Sequence, residues 1–145
     1  MQRFPAHPGR RRKHLKLMKI VAVIARILLG LMFFVFGLNG FLNFIPAPPM
    51  TGTAGAFVGA LISSHFIYLV SGTQVIAGVL LLINRFVPLA LALLAPVLAN
   101  ILVFHLTMQM TGLPMAVFTT LLWVLLMWRF RGHFTPLFAQ KAVAS

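Results

Sequence analysis

A chain of 145 residues is long enough for one compact unit, yet 61% of it is apolar and 8% charged, with a mean hydropathy of +1.01, against roughly 25% charged residues in an average soluble domain. It has twelve Lys or Arg, no Asp or Glu and no Cys, which excludes disulfide exchange, thiolate catalysis, the common zinc clusters, a Ser-His-Asp triad, a glycosidase carboxylate pair and a carboxylate proton relay built from this chain alone. So basic a balance suggests nucleic acid, but seven of the cations precede the first apolar run and most others edge later ones; that placement favours membrane orientation and contact with anionic lipid, with RNA or an acidic partner surface the lesser reading.

Residues 1–18, with Pro5, Pro8, Gly9 and the run Arg10 to Lys13, lack apolar periodicity and read as a flexible basic cytoplasmic tail without fixed structure. Arg11-Arg12-Lys13-His14-Leu15-Lys16 faintly resembles a twin-arginine export signal, although His14 stands where an apolar residue is usual. Met18-Lys19 would also serve as a start. Ile20 to Phe44 is a 25-residue hydrophobic stretch broken by Arg26, Asn39 and Asn43. It exceeds the ~20 residues that cross the hydrocarbon core and is too long for a cleavable signal core, so it reads as span one; Ala54-Gly55-Ala56 has the small-residue look of a cleavage site.

Three prolines and Gly52 between Ile45 and Thr53 end that helix, and Thr53 is placed to cap the next. One helix over 54–83 would be about 45 Å long, well beyond the ~30 Å core. A break at Ser63-Ser64-His65 is therefore expected, leaving Ala54 to Ile62 as a short interfacial helix and Phe66 to Ile83 as span two. Asn84-Arg85 is short enough to force an antiparallel hairpin into span three, Phe86 to about Leu106, with Pro88 in its first turn and a kink at Pro96. An uncharged turn, Thr107 to Gly112, leads to span four, about 113–130, where Trp128 and Arg129 mark an interface.

The expected fold is an all-α membrane protein: an antiparallel four-helix transmembrane bundle with a short interfacial helix between spans one and two. The N-terminal segment, the second loop (Arg85) and the C-terminal end (Arg129, Arg131, Lys141) carry the cations, whereas the first and third loops carry none. The positive-inside bias then places both termini in the cytoplasm.

Arg26-xxx-Gly30 followed by Phe33-Phe34-xx-Gly37-xx-Gly40-Phe41, the stretch Gln74-xxx-Gly78-xx-Leu81-Leu82-xx-Arg85-xx-Pro88, and Asn100-xxxx-His105 together resemble the DoxX family of small four-span bacterial membrane proteins. The likeness runs from about Ile20 to Phe138. It implies a bacterial inner-membrane location. Some relatives are linked to quinone-dependent thiosulfate oxidation and others to membrane complexes that handle oxidative or thiol stress. The family often has a Glu where this chain has Gln74, which puts any proton-accepting role of that carboxylate in question.

Polar groups in hydrocarbon are costly and point to sites. At ~1.5 Å per residue, Arg26 lies in the cytoplasmic half of span one, Gln74 near mid-span, and Asn39, Asn100 and His105 in the outer half. These five are the ligand-binding candidates; no catalytic residue is identified and no metal site is expected. Ala22, Arg26, Gly30, Phe33, Gly37 and Gly40 share one stripe, whose small residues admit a close neighbour. Arg26, with no carboxylate in the chain, either snorkels to lipid phosphate, is wrapped by backbone carbonyls, holds an anionic or quinone-like ligand, or meets a partner's carboxylate. Gln74, Asn39, Asn100, Ser71 and Thr73 either bond between helices or line an outer cavity, roofed by the short helix, that suits a quinone or lipid head group. His105 is the one titratable group within a span suited to acid–base work. A bis-imidazole haem between His65 and His105 is the weakest reading.

The leading expectation is a non-catalytic membrane subunit or quinone/lipid-site protein beside an oxidoreductase partner. Its partners would be membrane lipids, that partner subunit or further copies of itself, and not nucleic acid. The alternative is a small oligomeric transporter, although no inverted repeat is visible. An autonomous enzyme ranks third.

Overall fold

The computed structural model describes residues 8–138, which are mostly helical with no strand among them. Helix α1 is Pro8–Leu42, α2 is Gly52–Ser63, α3 is Phe66–Leu82, α4 is Val87–Thr107 and α5 is Leu113–Phe130. A 3-10 turn, Met110–Gly112, precedes α5, and two more, Arg131–His133 and Thr135–Phe138, follow it.

The basic segment corrects the expectation of an unstructured tail. It is the first part of α1, helical from Pro8 and exposed over residues 11–20. Pro8 suits a first helical position, and from Arg10 to Leu29 there is no Gly or Pro; Arg, Lys, Leu and Met are good helix formers, so nothing stops the hydrophobic helix from extending through them. Thirty-five residues make a rod of about 52 Å, roughly 20 Å longer than a bilayer core requires. Residues 1–7 and the tail 139–145 lie outside the described residues.

Each later break has a local cause. Asn43 takes a left-handed conformation (φ 49°) and closes α1 by donating its N–H to the Asn39 carbonyl at 2.8 Å, as Asn tolerates better than most residues. The N-cap of α2 is Thr51, not Thr53. Where Ser63-Ser64-His65 was expected to break the chain, Ser64 N–H and both serine hydroxyls turn back onto the Ala60 carbonyl. His65 adopts φ 61°, and α3 leaves at 84° to α2. Asn84 and Phe86, both left-handed, make the tight α3–α4 turn, in which Arg85 N–H reaches the Leu80 carbonyl at 3.0 Å.

Helices α1, α4 and α5 are each long and apolar enough to cross a membrane, and α3 qualifies together with α2 as a bent pair. Helix α3 alone, 17 residues, covers about 26 Å. The chain is an all-α membrane protein, a four-helix bundle with α2 set across one end. The main seam joins α1 to α3 antiparallel: Gly30 lies against Leu81, Gly37 against Gln74 and Gly40 against Ser71, each step along α1 matched by a step back along α3. The small-residue stripe foreseen on α1 is that seam. A Cβ on Gly78 would stand 2.6 Å from the Phe34 nitrogen and 2.9 Å from the Gly30 carbonyl, so the backbones touch there as only glycine allows.

The N-terminal part of α1, the α3–α4 turn and the C-terminal part of α5 gather at one end, the basic end. Above it Leu29, Leu81, Leu91, Leu94 and Leu126 are fully buried around Ala77 and Ala90. Trp123 Nε1 donates to the Leu91 carbonyl at 2.9 Å, fastening α5 to α4. At the interface the Arg131 guanidinium lies 4.4 Å over the Trp128 ring, a cation–π contact.

Candidate functional site

Towards the opposite, uncharged end the helices separate. A cavity of about 500 Å³ lies between the turns of α1, α3, α4 and α5 nearest that end, roofed by Met50 of the proline loop. A second, of about 450 Å³, lies between α2, α3 and α4. Both are within the range of small-molecule sites. Ile67, Val70, Gln74, Ile101 and His105 line both cavities, so they form a common wall.

The polar residues of the first cavity divide by whether their hydrogen bonds are already made. The Asn39 amide is occupied: its Oδ1 accepts from Ile45 N–H at 2.6 Å and its Nδ2 donates to the Ile45 carbonyl at 3.4 Å, pinning the loop that forms the roof. The Thr119 hydroxyl is spent on the Met115 carbonyl at 2.7 Å. Ser71, 3% exposed, and Gln74, one turn along α3, make no side-chain hydrogen bond to a described residue. No side-chain N or O among the described residues is both fully enclosed and unpartnered, so these groups have the cavity itself as their outlet. In a largely apolar cavity these unbonded groups favour a polar occupant, with which they would make the hydrogen bonds that the protein leaves unmade.

His105 completes the cluster. Its Nδ1 lies 2.8 Å from the Gln109 carbonyl, which accepts only, so Nδ1 carries the proton and in the neutral ring Nε2 is the acceptor. The Phe104 ring stands edge-on to it at 5.2 Å, and the ring lies so close to Gly112 that any Cβ there would collide with it. In one wall, Ser71 and Gln74 both donate and accept and His105 Nε2 accepts. Such a set can bond a quinone, which offers two carbonyl acceptors, and equally a quinol, which offers two O–H donors.

The other candidates are placed elsewhere. Arg26 faces inward, but towards the basic end. Its guanidinium donates to the Leu81 carbonyl and, at 3.3 Å, to the Leu82 carbonyl, closing the C-terminus of α3, where exposed carbonyls and the helix dipole favour a cation. Wrapping by backbone carbonyls is thus the reading the geometry selects, and Arg26 lines neither cavity. A good hydrogen bond to a charged group contributes roughly 1.5–3 kcal/mol, and the longer contact to Leu82 adds little to the one to Leu81. Asn100 lines only the second cavity, and its Nδ2 turns back onto the Pro96 carbonyl at 2.9 Å. His65 is exposed, packs near Tyr68 at 5.8 Å between ring centroids, and shares no cavity with His105. No group of three or more metal-ligating side chains occurs among the described residues.

Met50, Gly112 and Thr119 line the first cavity and were not foreseen. Gly112 left one signal, a glycine seven residues after His105 in a turn that must fold back on it.

The DoxX family model matches residues 21–107. The chain belongs to the DoxX family. The match takes in α1 from Val21 onward and α2 to α4, and with them every residue of the common wall, but stops at Thr107 rather than at Phe138, so α5, which closes the first cavity, lies beyond it. No curated protein and no solved structure matches the chain.

Proposed function

We propose that this DoxX protein binds the head group of a quinone in the first cavity and acts as a non-catalytic membrane subunit beside an oxidoreductase. The observation that carries this reading is the cluster of Ser71, Gln74 and His105 Nε2, whose hydrogen-bonding capacity is unspent in an otherwise apolar cavity of about 500 Å³. Tethering residues leave little acid–base equipment beyond His105, which favours a site that holds both redox forms for a partner to turn over. The setting proposed is the bacterial cytoplasmic membrane. The basic end lies in the cytoplasm, where the exposed cations of α1 meet anionic lipid, and the cavities lie in the outer leaflet.

The test is native mass spectrometry and solvent extraction of protein purified in mild detergent. Near-stoichiometric quinone, or a co-purified oxidoreductase, is expected; quinone-free protein with no such partner overturns the reading. His105→Asn keeps a donor near the Nδ1 position while removing Nε2, and is expected to lower quinone retention about tenfold, the worth of one good hydrogen bond. The absence of cysteine makes orientation directly readable: Gly132→Cys should label only from the cytoplasm and Thr111→Cys only from outside.

A further inference from the structure

The second cavity is built differently from the first, although Gln74 and His105 belong to both. Its other polar side chains have turned their donors onto their own helices: the Thr73 hydroxyl to the Leu69 carbonyl at 2.9 Å and the Asn100 amide to the Pro96 carbonyl at 2.9 Å. What remains is largely aliphatic and aromatic surface. Its rim is exposed, with Leu69 at 64% and Phe66 at 53%, so the cavity opens on the flank of the bundle, where lipid chains lie. The 84° bend sets α2 across this opening, with Ala54 the one buried residue of α2 among those described.

We infer that the second cavity is the tail subsite and lateral entry of a single-chain amphiphile: the apolar chain lies between α2, α3 and α4, and the wall shared by the two cavities parts between α3 and α4, at Gln74 and His105, to let the polar head into the first cavity. The assignment rests on the head-group reading above and extends it by naming the ligand class, a small hydrogen-bonding head on one long apolar chain, and its route from the bilayer. A head alone would leave the second cavity unfilled.

Two photoreactive benzoquinones test it, one with a diazirine on the ring and one with a diazirine near the end of a prenyl chain, each crosslinked to the full chain in nanodiscs and mapped by peptide mass spectrometry. The ring probe should mark Ser71, Gln74 or Met50 and the chain probe Phe57, Leu69 or Phe104, each adduct assigned to its residue by fragmentation of the labelled peptide. Chain adducts on Met32 or Met115 instead, with ring adducts as expected, overturn the tail subsite and leave the head site standing. Absence of ring adducts at the first cavity overturns both. Leu69→Trp supplies a second measure, because Leu69 is exposed and a larger ring there narrows the opening without entering the core. It should weaken retention of the prenylated quinone about tenfold while leaving the chainless quinone unchanged. Equal loss for both, or loss for neither, contradicts the assignment.

Discussion

The basic half of the bundle and the uncharged half are made from the same four crossing helices by opposite means. Near the basic end, leucines from α1, α3, α4 and α5 interlock, Gly78 brings two backbones together, and both Arg26 and Trp123 end on carbonyls of a neighbouring helix. Near the other end the same helices enclose two cavities, and polar side chains of α3 and α4 face them with unspent capacity. A membrane bundle gains nothing from expelling water between helices, so cohesion must come from close packing and polar ties. The contrast suggests that stability resides in one half and binding in the other.

Substitutions in the two halves should therefore separate stability from ligand retention. The largest effect is expected from Gly78→Leu, which drives a side chain into the Phe34 and Gly30 backbone. It should cost about 3 kcal/mol or more, at the top of the overpacking range, read as loss of the folded baseline in an SDS titration followed by far-UV circular dichroism. Leu94→Ala, at a fully buried position, should cost roughly 2–3 kcal/mol in the same titration; a cost below half that would mean the basic half is not the stable one. Arg26→Met, which unfastens α1 from the end of α3, is expected to cost about 1.5–2 kcal/mol and to leave quinone content unchanged. Altered quinone content with unchanged stability would instead make Arg26 a ligand residue. The smallest stability effect belongs to Gln74→Leu, within about 0.5 kcal/mol because no protein hydrogen bond is lost, yet with quinone retention down about tenfold.

Some features were legible because they depend on composition and local chemistry. The apolar runs, the breaks at the proline loop and at Ser63-Ser64-His65, and the hairpin at Asn84-Arg85 follow from hydropathy and from residues that cannot continue a helix. The α1 stripe was also readable, since 100° per residue fixes which side chains share a face. The extension of α1 to Pro8 is not legible from charge, which suggests disorder, because Arg and Lys without Gly or Pro prolong a helix already nucleated by the membrane segment. Among the candidate site residues, depth was legible but role was not. Asn39 and Asn100 sit towards the uncharged end of their helices, yet each donates to a carbonyl a few residues away, an alternative that spacing alone does not rank.

By itself, then, the amino-acid sequence determined that the chain lives in a bilayer as helices, where those helices break, and which end carries the positive charge, because transfer energies and backbone chemistry act residue by residue. Tertiary structure alone decided that Arg26 closes α3 rather than entering a cavity, that Gln74 and His105 share one wall between two cavities, and that α2 crosses the flank where the second opens. Those outcomes depend on how helices are rotated about their axes and on the 84° bend, and rotation is set by the packing of neighbours that no single segment encodes.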